Sequence, residues 1–403
     1  MVPALCCLFA LAAGVLLPEV DERLSQYVPF LFQAGPGGAR TMLSTIAGAM
    51  ISVTGLVFSI TIVVLQLASS QFSPRVLRTF LDDRTPQATL GVFTASFVYA
   101  LTVMRDVSGS SDDSNEAVPQ IALTLAFVLV LASVGMFLAF IHHITQSISV
   151  DTIIRTVGSE TLTLMARGRS ESPAESVSPK ASSASHDPTN QDGYRQIVIE
   201  AGSSGYLNYV DHRDLVTLAS AHDAFITLLH PLGTYVVPKQ PIAMVDVDVR
   251  VAAPDWDKKV LSHFTITWRR TMEQDITFGI RQLVDIGERA LSPGVNDPTT
   301  AIQVVNQLHT ILHRIIVTGQ VSTLLRDEEG APRVLSAEWT FDSYLDLCID
   351  EIAYWGAGSL QIPPRLDQLL TQLEHIASPE QQKSLQVKRF SVDALVRAAR
   401  AAD

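Results

Sequence analysis

At 403 residues, with hydrophobic residues making up 47%, the chain exceeds what a single hydrophobic core usually organises, so more than one structural unit is expected. Its 41 Asp and Glu against 29 Lys and Arg give a formal charge of -12, and no cluster of basic residues exists to meet a phosphate backbone, which argues against a nucleic-acid partner. Cysteine is confined to adjacent Cys6 and Cys7 and distant Cys348. That pattern excludes a disulfide framework and supplies no Cys-x-x-Cys pair for zinc or redox chemistry, so the three fit small buried hydrophobes.

Four apolar segments occupy the first third, at about Val2–Leu17, Thr41–Ala68, Gln87–Met104 and Val118–Ile141. A helix rises about 1.5 Å per residue, so a hydrocarbon layer of about 30 Å takes roughly 20 residues to cross. The second and fourth segments meet that length, and the third, bounded by Arg84 and Arg105, meets it narrowly. The first begins at Met1 with no preceding Lys or Arg and is ended by Pro18, Glu19 and Asp21. A membrane helix is the preferred reading and a signal peptide the competing one, because no basic n-region precedes it and an even number of crossings keeps both termini on one side. A truncated or mis-assigned start would account for the missing flank. Residues 1–141 are therefore expected to form a transmembrane domain of four helices.

Orientation follows from the basic residues of short loops, which stay on the cytoplasmic side. Arg75, Arg78 and Arg84 follow the second segment, whereas the loop after the third carries Asp106, Asp112, Asp113 and Glu116 and no basic residue. The remainder of the chain is then cytoplasmic, with Arg40 on the outer side straining the assignment. Within the second segment Thr45, Gly48, Ser52, Gly55, Ser59, Gln66 and Ser69 recur at spacings of three, four or seven and share one helix face. Two readings fit. Small residues let helix backbones approach and hydroxyls bond across the contact, or the stripe lines a water-filled path ending at the Gln66–Gln71 polar cluster. No charged residue lies inside any of the four segments, which counts against a proton-coupled pump.

Beyond Ile141, the pattern Ile148, Ile153, Ile154, Val157, Leu162 and Met165 predicts that the fourth helix continues as an amphipathic extension over residues 142–167. Residues 168–193, rich in Ser, Pro, Ala and Asn, predict a disordered linker. Short β-type runs at Gln196–Ile199, Phe225–Leu229, Thr234–Val237 and Ala243–Val249, with an inserted helix at Asp211–Ala221, predict a small β-rich module over 194–257. Its run from Gly233 to Ala243 resembles the hairpin of lipoyl and biotinyl modules, without the setting of their modified lysine, so no attached cofactor is expected. From Lys258 to residue 403 the pattern is helical, broken by turns at Leu291–Pro298, Glu328–Val334, Gln361–Pro364 and Ala377–Pro379. The expected fold is thus a transmembrane bundle of four helices carrying a cytoplasmic α+β domain, itself a β barrel or sandwich module followed by a helical C-terminal unit.

Polar residues concentrate around the first of those turns. Asp275, Arg281, Asp285, Glu288 and Arg289 alternate in sign, and Arg281/Asp285 and Asp285/Arg289 are spaced four apart, as ion pairs along a helix are. Asp297 followed by Pro298 has the order of a helix cap and a first-turn proline, so a joint between two helices is one reading. The other is a ligand site in which Arg281, Asp285, Asn296, Asp297, Thr299 and Thr300 gather charges, oxygens and amides near a helix N-terminus. His309 and His313 stand one turn apart, the spacing of two metal ligands on a helix, but no third ligand follows at a recognisable interval, so no metal is expected. The chain lacks GxGxxG after a strand, GxxxxGK[ST], HExxH and GxSxG, and no enzymatic activity is expected.

The run from Phe58 to Arg75, the run Gly91-Val-Phe-Thr-Ala-Ser-Phe-Val-Tyr-Ala-Leu, Ser204-Gly-Tyr-Leu, Gly233-Thr-Tyr-Val-Val-Pro, and Arg270 to Ile286 continuing through Ala290-Leu-Ser-Pro-Gly-Val-Asn-Asp-Pro-Thr-Thr-Ala resemble, in the same order, motifs of the bacterial predicted-membrane-protein family termed domain of unknown function 2254. The resemblance spans almost the whole chain. It implies a multi-pass protein of the bacterial inner membrane and carries over no catalytic residue; members usually have a longer lead before the first helix. The expected partners are the lipid bilayer and further copies of the chain, since four helices are too few to enclose a wide path. A homo-oligomeric pore or transport component gated by its cytoplasmic domain is the leading functional expectation. The alternative is a membrane-anchored scaffold or sensor whose cytoplasmic domain binds an unidentified partner or small ligand.

Overall fold

Helices α1 (Val2–Leu24), α2 (Pro36–Gln71), α3 (Arg84–Asp106) and α4 (Gln120–Ser147) build the N-terminal part of the computed structural model. The structure describes residues 2–24, 35–71, 84–107, 118–147, 149–171, 194–248, 250, 255–319 and 323–402, and the chain divides into two compact units, Met1–Thr152 and Ile153–Asp403. Three helical stretches are long and apolar enough to cross a membrane, Pro36–Val64, Thr85–Asp106 and Gln120–Thr145, while the apolar run of α1, Pro3–Pro18, is shorter. Length and composition therefore give three of the four expected membrane helices.

The outside of this unit is as apolar as its inside. Leu43, Met50, Val57, Phe93, Tyr99, Leu123 and Phe140 are buried between the helices, yet Phe9, Leu56, Phe58, Phe127, Leu131 and Leu138 stand exposed, as befits a surface solvated by lipid. The Ser96 and Ser133 hydroxyls lie 3.1 Å apart, the Tyr99 hydroxyl donates to the Ala122 carbonyl at 3.0 Å, and Phe93 faces Phe137 at 6.5 Å. Rising numbers on α3 meet falling numbers on α4, so the two run antiparallel. A Cβ on Gly91 would come within 3.1 Å of Cys6 Sγ, and one on Gly14 within 2.9 Å of Thr102 Cβ. Helix α1 thus seats against α3 through two glycines, and there the numbers rise together: α1 and α3 are parallel.

The second unit begins within α5 (Val150–Glu171) and continues through β1 (Tyr194–Glu200), β2 (Gly205–Val210), α6 (His212–Ala221), β3 (Phe225–Leu228), β4 (Tyr235–Val236), β5 (Pro241–Asp248), α7 (Trp256–Leu261) and β6 (Phe264–Thr267). Then come α8 (Ile276–Leu291), α9 (Pro298–Thr318), β7 (Leu324–Arg326), β8 (Pro332–Leu335), α10 (Phe341–Gly356), α11 (Ile362–Glu374) and α12 (Pro379–Ala402). A five-stranded sheet has the order β1-β5-β3-β8-β7 and a three-stranded sheet the order β4-β2-β6. All pairings are antiparallel except β3 with β8, which places Ile226 beside Val334. Ile199, Ile226, Ala243 and Val245 from the larger sheet are buried with Leu215 and Ala219 of α6 and Trp256 and Val260 of α7.

This arrangement departs from the expected one in four ways. The larger sheet takes β7 and β8 from 324–335, inside the stretch expected to be helical, so it is not completed within 194–257; three- and four-residue strands are too short for alternation to show. The Gly233–Ala243 run is not a hairpin, since β4 pairs with β2 while β5 pairs with β1 and β3. Helix α5 starts as its own element at Val150, with Asp151 in its first turn, and is not a prolongation of α4. Its buried face, Ile153, Ile154 and Val157, lies against α8 and α9, where Gly279 faces Thr161 and Gly158 faces Gln307. The expected linker overlaps α5 as far as Glu171, and its residues 172–193 lie outside the described residues.

Helices α8 and α10 pack closely at Gly287, where an added Cβ would collide with Ile352 Cδ1. Gly287→Ala is expected to cost about 1–3 kcal/mol, since well-packed helices must part to admit the methyl group. A lowered thermal midpoint of the detergent-solubilised chain, partly restored by adding Ile352→Val, checks this; an unchanged midpoint refutes it.

Candidate functional site

Asp275 starts α8 by accepting the Phe278 N–H at 3.2 Å and the Thr277 hydroxyl at 2.6 Å. Arg270 donates to the same carboxylate from Nε at 2.9 Å and Nη2 at 2.6 Å, and Nη2 also reaches Thr277 Oγ1 at 2.6 Å. Asp275 is only 2% exposed. Gly233 covers the pair with φ +82, and any Cβ there would strike Arg270 Nη2 and Asp275 Oδ2, so the position demands glycine for both space and conformation. A capping carboxylate with every contact filled by its own chain holds structure and leaves no open coordination for a ligand. Arg270 and Thr277 escaped the sequence reading because their partner, five or two residues away, becomes a partner only once the helix start is fixed.

One and a half turns into α8, Arg281 binds three carboxylates: Asp285 at 2.6 Å, Glu288 at 2.8 Å and, across the contact with α10, Glu351 at 2.5 Å. The expected Arg281/Asp285 pair is present, and Glu351 is the partner that sequence spacing could not supply. Burial first, and the neighbouring Glu351 carboxylate second, hold the Glu288 pKa above the ordinary glutamate value.

The turn from α8 to α9 is built as the cap motif requires. Asn296 takes φ +49, and its N–H donates to the Ser292 carbonyl at 2.9 Å while that of Asp297 donates to Ala290 at 2.7 Å. Asp297 then caps α9, accepting the Thr300 N–H at 3.1 Å and the Thr300 hydroxyl at 2.6 Å, with Pro298 in the first turn. The Thr300 hydroxyl first, and its N–H second, hold the Asp297 pKa below the usual carboxylate value. Asn296 and Thr299 are exposed. Arg281 and Asp285 therefore belong to the α8–α10 contact and Asn296, Asp297, Thr299 and Thr300 to the turn. The ten residues from Arg281 to Leu291 separate the two along α8 by about 15 Å.

An open groove of about 350 Å³ adjoins the turn, lined by Leu291, Asn296, Pro298, Trp355, Leu360 and Gln361 among others. Its lining mixes apolar Leu291, Trp355 and Leu360 with polar Asn296, Ser359 and Gln361, and Trp355 is 47% and Leu360 91% exposed. Further along α9, Arg365 of α11 donates to Asn306 Oδ1 at 2.7 Å and sits 3.1 Å from His309 Nδ1. Burial, then the Arg365 charge and His313, depress the His309 pKa. His309 is thus engaged by a cation, and no group of three or more His, Cys, Asp or Glu among the described residues could hold a metal ion. Cys348 is 1% exposed and its thiol pKa is pushed well up by burial.

In the membrane unit, Thr45, Gly48, Ser52, Gly55, Ser59 and Gln66 are all exposed, on the side of α2 opposite buried Leu43, Ala47, Met50 and Val57. A Cβ on Gly48 or Gly55 would meet nothing within 4 Å. Thr45 donates to the Thr41 carbonyl at 2.8 Å and Ser52 to that of Gly48 at 2.9 Å, so these hydroxyls are satisfied within the helix. The stripe packs against none of the described helices of its own chain.

A family model described as predicted membrane protein (DUF2254) matches residues 1–372. Uncharacterised proteins of Mycobacterium bovis and Mycobacterium tuberculosis are 31% identical to the chain over 393 residues, covering 96% of it and 74% of each relative. No solved structure matches the chain.

Two substitutions separate the turn from the acidic contact. Asp297→Ala is expected to cost about 1 kcal/mol near neutral pH, the usual worth of a helix cap. Because the folded pKa of Asp297 is depressed, that contribution exists above the unfolded carboxylate pKa and disappears as pH falls through the folded value. Glu288, with its raised folded pKa, does the reverse: it adds stability in acid and surrenders it as pH rises through the folded value. Glu288→Gln should therefore raise the thermal midpoint by about 1–3 °C near pH 7.5 and leave it unraised near pH 4. Melting curves across that range check both, and a pH-independent effect of either substitution contradicts the assignment.

Proposed function

The chain belongs to the DUF2254 family of predicted membrane proteins, and from that premise we propose that it is a homo-oligomer of the bacterial inner membrane whose copies meet along α2, with a transport path between them and the soluble unit in the cytoplasm. The observation that carries this reading is the outward stripe from Thr45 to Gln66. The interior of the helical unit is filled by Leu43, Val57, Phe93, Tyr99 and Phe140, so a path belongs between copies. Small side chains on a lipid-facing helix favour close contact with another helix over contact with acyl chains. The parallel course of α1 and α3 supports four crossings, because α2 must return between them. Arg75, Arg78 and Arg84, set against the acidic loop Asp106–Glu116, support a cytoplasmic C-terminal unit.

A second reading, a sensor or scaffold, is favoured by the groove beside Asn296, whose size and exposed Trp355 and Leu360 suit one apolar ligand group or partner side chain.

With Cys6 and Cys7 replaced by serine, Ser52→Cys is expected to cross-link into dimers or larger species in native membranes, and Leu131→Cys on the lipid-facing side of α4 to remain monomeric. Monomer from both positions refutes assembly through α2. Cross-linking without solute flux in liposomes, or flux insensitive to Gln66→Ala, removes the path and retains the assembly. A melting-point shift by a small apolar ligand that Trp355→Ala abolishes would favour the sensor reading.

A further inference from the structure

Helix α12 turns cations to two opposite sides. Toward the protein, Lys388 pairs with Asp346 at 2.5 Å and Asp350 at 2.6 Å on α10. Arg389 meets Asp367 at 3.2 Å and Glu374 at 3.3 Å on α11, and donates to Thr371 Oγ1 at 2.6 Å. Leu385 and Val392 are buried on the same side. These contacts fix which face looks outward: Lys383, Val387, Phe390, Ala394, Arg397 and Ala401, spaced three or four apart and all exposed. Val387 is 70% and Phe390 71% exposed. The Arg397 guanidinium lies 6.0 Å from the Phe390 ring centre, and neither Lys383 nor Arg397 has a carboxylate partner among the described residues. Glu380, three residues before Lys383, shares the edge of the face, and Asp393 and Arg400 flank it. Helix α12 also lies beyond residue 372, where the family match ends.

An exposed phenylalanine and valine between two cations call for an occupant that is apolar within and anionic at its surface. A second copy of the same face fits poorly. Two-fold pairing, parallel or antiparallel, sets Lys383 and Arg397 against like charges. An anionic bilayer surface meets both demands, since Lys and Arg stems lie along apolar matter while their heads reach lipid phosphates. It is also permanently at hand, because the same chain carries helices long and apolar enough to cross a membrane. Tethering turns a contact too weak for a free protein into an intramolecular one. We propose that the outer face of α12 docks on the anionic surface of the bilayer, with Phe390 and Val387 entering the headgroup layer and Lys383 and Arg397 pairing with lipid phosphate. This goes beyond the path between copies and does not depend on it.

The full chain, with Cys6→Ser, Cys7→Ser and Ala394→Cys carrying an environment-sensitive fluorophore, is reconstituted in vesicles of phosphatidylcholine alone or with phosphatidylglycerol at about 30%, a strongly anionic surface. Anionic vesicles are expected to give blue-shifted emission and quenching by spin-labelled lipid. Lys383→Glu/Arg397→Glu, or salt near 0.5 M, should cut the quenching at least about fivefold, as electrostatic attachment requires. Equal emission in both vesicle types without lipid quenching overturns the proposal. So does a disulfide-linked dimer formed by the same Ala394→Cys chain left unlabelled, which would assign the face to a second copy. Should the double charge reversal lower the melting temperature, the salt arm on the otherwise unaltered labelled chain still decides.

Discussion

One buried carboxylate joins the parts of the C-terminal unit. Asp275 caps α8, neutralises Arg270 from the segment after β6, and lies beneath Gly233 from the turn before β4. Removing either charge would leave the other uncompensated in a nearly dry site, where breaking a pair typically costs about 3–5 kcal/mol. The sheet region and the helical region are therefore not two modules in tandem. They share this pair, and β7 and β8 return from among the helices to finish the larger sheet.

Much of this was legible in sequence where a physical rule acts over a few residues. The cap Asp297-Pro298, the apolar runs of α2 and α4, and β1, β3 and β5 all follow from local chemistry or from alternation long enough to count. Contacts that depend on the third dimension were not legible. Glu351 completes the Arg281 cluster from 70 residues along the chain, and Arg365 engages His309 from another helix. The stripe on α2 shows both limits: its periodicity was visible, but only the packing of Leu43, Met50 and Val57 tells which way it faces.

The two units satisfy their polar side chains in different ways. In the first, hydroxyls of Thr and Ser bond back to their own helix or to each other, as at Ser52 and Ser96, because no water stands ready to replace a missing partner. In the second, ion pairs such as Lys388 with Asp346 and Asp350 hold helices at positions water can partly reach. Their individual worth is modest, but each also fixes the azimuth of a helix, which is how α12 comes to present one particular face outward.

The parallel pairing of β3 with β8, Ile226 beside Val334, sets an order of events during synthesis. Until residue 335 has left the ribosome, β3 has neighbours on one side only and is an open sheet edge, the kind of surface on which nascent chains aggregate. Helices α8 and α9, translated in between, make local contacts and can form first, so they would already stand in place to guide the late strand to the vacant edge.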